Sequence, residues 1–209
     1  MVLYKEQIRA WTESVKVFFD SVAGDPKWLS LSSQERRFVS KAIAATPVRE
    51  GDYVLEPGCG AGRVTPLLAE AVGTSGWVLS LDVSPEMIKQ ARAHHPVERA
   101  CFVQASVAEI PVEDHSLDAV FCFNCFHQFP CPPLTLQELA RVLKPGGRLA
   151  LAHTESLPEL EKTRALALPL RAPKIPSLAE LMRMMRLFGF QVRKLPKFDS
   201  CFLLVAELG

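Results

Sequence analysis

The chain has 209 residues, a net charge of +1 at pH 7, 48% hydrophobic residues and 22% charged residues. This composition is typical of a globular protein with a large buried core, and it excludes an extensively disordered chain. The chain has no excess of basic residues that would indicate nucleic-acid binding, and no apolar run reaches the length of a membrane span. From the length alone we expect a single domain over residues 1–209.

The first residues of the chain lack the apolar core of a secretory signal peptide. The six cysteines are scattered, and without such a signal we expect reduced thiols in a cytoplasmic protein. Cys122 and Cys125 have the spacing of a redox or metal-binding pair, but residues three apart in a strand point to opposite faces, so the two side chains meet only if the chain turns at once after Cys122. Redox pairs also usually lie at a helix N-terminus. We therefore interpret these cysteines as buried thiols and predict no metal site.

Two helices are predicted before the first strand. Apolar residues recur at helical spacing from residue 8 to residue 22, and the pattern Ser32-x-x-Glu35 fits a capping box at the start of the second helix. We expect residues 1–47 to form an appendage to a core of residues 48–209. The appendage is either a packing layer or a cap over a ligand pocket.

A glycine-rich loop follows the first predicted strand. Residues 53–62 read Tyr-Val-Leu-Glu-Pro-Gly-Cys-Gly-Ala-Gly, and a helix with Pro66 in its first turn follows. Such a turn presents backbone N–H groups and the positive end of a helix dipole to a ligand. A dinucleotide loop would place its third glycine at position 63, which is Arg63, and no phosphate-binding P-loop is present. The carboxylate of Glu56 suits a cationic ligand instead of a polyphosphate.

The second predicted strand, over residues 76–82, ends in an acid. Asp82 lies 24 residues after Gly58, the first glycine of the loop. In doubly wound nucleotide-binding folds, a carboxylate at about this separation can accept hydrogen bonds from both hydroxyls of a ribose. The next helix is predicted to begin at Ser84, which can cap it, with Pro85 in its first turn.

Three more strands and two helices extend the alternation. Strands are predicted over 101–105, 114–123 and 148–153, with a helix over 134–143. A further helix over 177–187 and two last strands over 190–193 and 202–206 complete the chain. Strands that alternate with helices predict a doubly wound, mostly parallel α/β sheet with helices on both faces.

The loop after the fourth strand carries His127. Loops at the carboxyl ends of strands bind ligands in open α/β folds. Histidine titrates near neutral pH, so His127 is a candidate general base or substrate hydrogen-bond partner, and it is our candidate catalytic residue. The alternative is a histidine satisfied by a neighbouring loop or helix.

Five blocks together resemble the class I S-adenosylmethionine (SAM)-dependent methyltransferases. They are the E-x-G-x-G-x-G loop of residues 56–62, Asp82 with residues 84–87, residues 101–107, residues 114–123, and the block of residues 138–147 that ends in Lys-Pro-Gly-Gly. The pattern is most similar to the ubiquinone and menaquinone C-methyltransferase branch with its small-molecule relatives. The resemblance leaves out the N-terminal helices and residues 156–176.

The resemblance implies a Rossmann-like, seven-stranded fold that binds SAM and releases S-adenosylhomocysteine. It implies that Asp82 holds the ribose, that Met87 packs on adenine, and that Ser106 replaces an acid found in many members. It also implies that residues 1–47 form cap helices and that residues 154–176 form an acceptor-pocket loop. The cofactor-binding residues that it implies are Glu56, Gly58, Cys59, Gly60, Gly62, Asp82, Val83, Met87, Ser106, Val107 and Asn124.

The implied reaction is in-line transfer of a methyl group from SAM to a small-molecule acceptor. Methyltransferases of exocyclic amines in nucleic acid often have [DNS]-P-P-[YF] after the fourth strand, and this chain has Asn124 without the prolines. We therefore expect no nucleic-acid partner. The acceptor and the oligomeric state do not follow from the sequence, and a homodimer is left open. Two alternatives are a SAM-binding protein without transferase activity and a nicotinamide-dependent oxidoreductase, which the glycine spacing disfavours.

Overall fold

The computed structural model describes residues 2–167, 175–194 and 201–209. Within these ranges the strands are β1 (Tyr53–Pro57), β2 (Trp77–Asp82), β3 (Ala100–Gln104), β4 (Leu117–Phe123), β5 (Leu143–His153), β6 (Phe190–Lys194) and β7 (Phe202–Leu208). The helices are α1 (Val2–Val22), α2 (Ser33–Ala45), α3 (Thr65–Val72), α4 (Pro85–His94), α5 (Pro132–Val142), α6 (Leu157–Ala167) and α7 (Leu178–Leu187), with short 3-10 helices at Pro26–Trp28 and Phe126–Gln128. No helix in the described ranges is long and apolar enough to span a membrane.

The strands form one seven-stranded sheet in the order β3-β2-β1-β4-β5-β7-β6. Strands β1 to β5 run parallel to one another, whereas β7 is antiparallel to both of its neighbours, β5 and β6. The predicted mostly parallel, doubly wound sheet is confirmed. The chain winds outward from β1 in both directions, so the switch in strand order lies between β1 and β4. In folds of this kind the ligand crevice lies beyond the carboxyl ends of the strands at that point.

Apolar layers cover both faces of the sheet, as the predicted alternation requires. Val54 and Phe121 belong to the layer that packs with α2 and α3, whereas Leu55 and Val120 belong to the layer that packs with α5 and α7. Neighbouring strand residues point to opposite faces. The helix α2 buries Val39 completely in the first layer, and its Phe38 ring lies 6.5 Å from the ring of Phe123 at the end of β4.

Serine caps begin three helices where the sequence predicts them. The hydroxyls of Ser32 and Ser177 form capping boxes at α2 and α7, and the hydroxyl of Ser84 accepts a hydrogen bond from Met87 N at 3.0 Å. A fourth start was missed in the sequence. The backbone N–H and hydroxyl of Ser156 both donate to the Glu159 carboxylate, which begins α6.

Two segments differ from the predicted boundaries. Strand β5 begins at Leu143 rather than at residue 148, because Leu143 already pairs with Leu117 across an irregularity in the register. The segment 156–176, which we expect to be mostly loop with one short helix, contains the 11-residue helix α6. Residues 168–174 lie outside the described residues.

Candidate functional site

A cavity of about 450 Å³ lies at the carboxyl ends of the central strands. This volume is within the range of small-molecule sites. The predicted residues that line it are Glu56, Gly58, Cys59, Gly60, Asp82, Val83, Met87, Ser106, Val107, Asn124 and His127. Gly62 does not line it. A Cβ at Gly62 would lie 3.0 Å from the Phe102 ring and 3.1 Å from Ala91 Cβ, so this glycine serves the packing of the loop against β3 and α4.

The glycine loop forms one wall through backbone conformations that suit glycine. Gly58 and Gly60 have φ angles of +67° and +54°, which residues other than glycine rarely adopt. A Cβ at Gly58 would lie 2.6 Å from Cys125 Cβ, whereas nothing lies within 4 Å of a Cβ at Gly60. The loop therefore packs against the protein at Gly58 and leaves open space above Gly60, where a ligand can approach the backbone.

The Asp82 carboxylate is fixed in place by two backbone amides. Its Oδ2 accepts a hydrogen bond from Gly60 N and its Oδ1 accepts one from Ser84 N, each at 2.9 Å. The side chain is 8% exposed, and burial raises the pKa of this carboxyl above its ordinary value. The group is thus an oriented acceptor at the edge of the cavity, as a ribose contact would need.

Glu56 is a buried carboxyl with two hydroxyl partners. Thr65 Oγ1 and Ser80 Oγ donate to Glu56 Oε2 at 2.6 Å and 2.7 Å. Burial raises the pKa of Glu56 to about 7; the two hydroxyls lower it, Asp82 adds to the rise, and Arg63 lowers it. Glu56 is therefore poised between its neutral and ionised forms near neutral pH. A cation in the cavity would favour the ionised form.

Ser106 and the residues near it form a second, largely apolar wall. Val107 and Met87 are buried and line the cavity with Val83. Ser106 Oγ accepts a hydrogen bond from Ala108 N at 3.2 Å and so caps the turn after β3. Because the hydroxyl already serves this turn, backbone groups of Ser106 and Val107 are the better candidates to contact a flat polar ring.

The helix α1 supplies a wall whose lining residues the sequence did not identify. Its residues Val15, Phe18 and Phe19 line the cavity. The hydrogen bonds that fasten the helix to the core include one from Trp11 Nε1 to the Gln128 carbonyl at 2.8 Å and one from Ser84 Oγ to Asp20 Oδ1 at 2.6 Å. The helical spacing of the apolar residues predicted the element and left open whether it packs on the core or covers a pocket.

His127 lies beside a second histidine. The ring centroids of His127 and His153 are 5.3 Å apart, with the planes at 71°. His153 is 1% exposed, and burial followed by the charge of His127 lowers its pKa well below the ordinary value. His153 therefore stays neutral at physiological pH, and it forms a buried floor behind the cavity-lining His127.

Asn124 joins the ends of two strands. Its Nδ2 donates to Thr154 Oγ1 at 3.1 Å and its Oδ1 accepts from Thr154 N at 2.9 Å, so the amide ties β4 to β5. Its φ of +52° turns the chain sharply. Cys122 and Cys125 both belong to the layer that contains Leu55 and Val120, the arrangement that we expected only if the chain turned at once after the strand.

The interpretation of these cysteines as buried thiols agrees with their surroundings. Both are buried, Cys125 Sγ donates to the Pro57 carbonyl at 3.0 Å, and burial raises the pKa of the Cys125 thiol well above its ordinary value. A raised pKa keeps the group a thiol, the less reactive form. Among the residues that the structure describes, no three His, Cys, Asp or Glu side chains are grouped to hold a metal ion.

Comparisons with known proteins show the following similarities. Residues 55–151 match the sequence family described as a methyltransferase domain. The 2-phytyl-1,4-naphtoquinone methyltransferase of Trichormus variabilis is 33% identical over 148 residues, which cover 67% of this chain and 64% of that protein. The 27-O-demethylrifamycin SV methyltransferase of Amycolatopsis mediterranei is 31% identical over 61% of this chain and 47% of its own length. The chain thus spans less than two thirds of either relative.

Solved structures share the fold over most of the chain. A SAM-dependent methyltransferase from Aquifex aeolicus superposes with a TM-score of 0.70 at 25% identity, over 91% of this chain and 97% of that one. The [4+2]-cyclase SpnF has a TM-score of 0.70 at 16% identity, over 93% and 92% of the two chains, which is a likeness of fold alone.

Proposed function

We propose that the protein is a methyltransferase of the SAM-dependent class, which transfers a methyl group from SAM to a small-molecule acceptor; the similarity of residues 55–151 to a methyltransferase domain and of the fold to a SAM-dependent methyltransferase supports this. The match confirms the family resemblance read from the motif residues. The observation that carries the proposal is the cavity in which Glu56, Asp82 and the open backbone at Gly60 meet. This set suits a cationic adenosyl ligand without phosphate.

The donor would lie along the carboxyl ends of β1 and β2. We place its ribose at the oriented Asp82 carboxylate and its adenine between Val83, Met87 and the backbone of Ser106 and Val107. Its amino-acid end would then lie over Gly60, where a Cβ would meet no atom within 4 Å. When bound, SAM supplies a methyl group on a sulfonium sulfur. An acceptor atom bonds to the methyl carbon in line with the S–CH₃ bond, and the sulfur leaves as the thioether of S-adenosylhomocysteine.

The protein's task in this reaction is to exclude water and orient the acceptor. The helix α1 covers the cavity, and we propose that it acts as a cap fastened by the Trp11 and Asp20 hydrogen bonds. The remaining walls include Phe129 and Leu160, with Thr154 and His127 as polar neighbours. This lining favours a largely apolar acceptor.

We propose His127 as the residue that receives a proton from the acceptor or holds it by a hydrogen bond. Replacing His127 with glutamine keeps a polar side chain of similar size but removes the base. We expect turnover of an identified acceptor to fall by about 10²–10⁴-fold, with the affinity for S-adenosylhomocysteine unchanged. Steady-state rates together with calorimetry separate the two. Unchanged turnover would remove His127 from the chemistry.

Donor affinity should depend on pH through Glu56. A bound ammonium favours the ionised carboxylate, so binding must release the proton that Glu56 carries below a pKa of about 7. The affinity for S-adenosylhomocysteine is then expected to fall about tenfold from pH 8 to pH 6 and to level off above pH 8. Calorimetry across this range measures the effect. Glu56→Gln should abolish this dependence, and 5′-methylthioadenosine, which lacks the ammonium, should show none.

The experiment that tests the function is a transfer assay with methyl-labelled SAM against a panel of apolar acceptors. The panel begins with naphthoquinone compounds, because the relatives are named for one, and adds phenols, thiols and amines. Labelled product on any acceptor supports the proposal. Donor binding without transfer to any class would favour a SAM-binding protein that lacks the activity, and NADH binding in place of SAM would favour an oxidoreductase. A cytoplasmic location and a homodimer remain predictions.

A further inference from the structure

We propose that Arg63 binds the α-carboxylate of the donor, so that Glu56 and Arg63 together hold the two charges of its amino-acid end. This inference rests on the proposed function, since it concerns the donor of that reaction. It adds a binding residue that neither the motif pattern nor the family resemblance identified; in the sequence, Arg63 only interrupts the glycine spacing of a dinucleotide loop.

Arg63 is placed to meet a ligand that lies over the glycine loop. It follows Gly62 directly and lines the cavity, and its side chain is only 14% exposed. One nitrogen, Nη1, makes all of its hydrogen bonds: to the carbonyls of Lys27 and Ser30 at 3.3 Å and 3.2 Å, and to Glu35 Oε1 at 3.3 Å.

The other two nitrogens of the Arg63 guanidinium make no such hydrogen bonds to the described residues. Its Nε and Nη2 donate to none of the residues that the structure describes. A guanidinium carries five N–H donors in a planar fork that matches the two oxygens of a carboxylate. The contacts of Nη1 thus fix the position of the group and leave donors for a carboxylate.

Trp28 supports the same corner of the cavity. Its ring lies 5.9 Å from Arg63 Cζ and 5.4 Å from Lys27 Nζ, and the residue lines the cavity. Its buried indole Nε1 finds no hydrogen-bond acceptor among the described residues. Buried donors are nearly always paired, so this corner combines positive charge with a donor that lacks an acceptor, which a carboxylate would supply.

The charges of the cavity match a free amino acid. Glu56 and Arg63 both line it, and they are close enough for the cation to lower the pKa of the carboxyl. The amino-acid end of SAM carries an ammonium and a carboxylate on one carbon atom. An anion and a cation at the same end of the cavity complement this zwitterion, whereas a ligand without the amino acid would offer neither group an opposite charge.

The test compares two ligands that differ in the amino-acid end. S-adenosylhomocysteine carries it, and 5′-methylthioadenosine keeps only the adenosine and a thioether. Both are titrated by calorimetry into the wild type, Arg63→Met and Glu35→Gln. Methionine keeps much of the apolar stem and removes the charge. Glu35→Gln removes the ion pair of Arg63 but keeps the guanidinium, so it controls for a structural role of the pair.

We expect Arg63→Met to weaken the binding of S-adenosylhomocysteine by about 10- to 100-fold. It should change the affinity for 5′-methylthioadenosine by less than threefold. Glu35→Gln should leave both affinities near those of the wild type. An equal loss for both ligands, no loss for either, or the same selective loss in Glu35→Gln would overturn the proposal. Failure of the wild type to bind S-adenosylhomocysteine would instead contradict the proposed function, and it is seen before any variant is made.

Discussion

Asp82→Ala should weaken the binding of S-adenosylhomocysteine by at least about 100-fold. The variant removes a charged acceptor that we place under two ribose hydroxyls, and hydrogen bonds to charged groups contribute about 1.5–3 kcal/mol each. It also leaves the N–H groups of Gly60 and Ser84 without the oxygens that they now contact. The glycine loop therefore loses a restraint at the same time as the ligand loses its partner. Calorimetry at pH 8 measures the loss.

Asp114→Ala is the matched control. Asp114 is 65% exposed and pairs with Arg141, ahead of the amino end of β4 and away from the cavity. An exposed ion pair contributes little, so this variant should bind the ligand as the wild type does. If Asp82→Ala stays within threefold of the wild type while it remains folded, the ribose is not at Asp82 and our placement of the donor is wrong.

Gly58→Ala should cost more stability than a glycine substitution with the same backbone strain elsewhere. Its Cβ would lie 2.6 Å from Cys125 Cβ, which is part of the backbone-bound end of a buried side chain and cannot rotate away. Left-handed strain of about 1–2 kcal/mol adds to an overpacking cost of about 1–3 kcal/mol. For a chain of this size, the sum lowers the melting temperature by about 4–20 °C, a range that thermal unfolding resolves easily.

Gly146→Ala separates strain from the steric clash. Gly146 has a φ of +75°, yet nothing lies within 4 Å of a Cβ built there. Gly146→Ala should therefore lose only the stability that backbone strain costs. The difference between the melting temperatures of Gly58→Ala and Gly146→Ala then reports the contact with Cys125. Equal losses in the two variants would mean that the loop at Gly58 is not packed against Cys125.

The glycine loop and Asp82 could be predicted because their signals are local. The three glycines and the acid each follow a short apolar strand, and loop and strand end meet wherever parallel strands are paired. The partners of Glu56 could not be predicted. Ser80 reaches the carboxyl because Glu56 and Ser80 are register partners in β1 and β2, and one sequence does not reveal that register.

The acceptor side shows a second limit of prediction from sequence. We placed Cys122 in a strand and could not decide whether the chain turns before Cys125; it does, because Asn124 adopts a φ of +52° and its amide bonds to Thr154, thirty residues along the chain. The turn depends on that long-range contact. The cavity-lining face of α1 is set in the same way, because the hydrogen bonds of Trp11 and Asp20 reach distant residues. Patterns of spacing predict elements, whereas these contacts decide which residues meet.

The most direct test of the account is a calorimetric titration of S-adenosylhomocysteine and SAM into the wild-type protein at pH 8, with NADH titrated in parallel. We predict one site per chain with a dissociation constant in the micromolar range for the first two ligands, and no heat of binding for NADH. A folded protein that binds neither adenosyl ligand at millimolar concentration would contradict the assignment of the cavity and, with it, the proposed reaction.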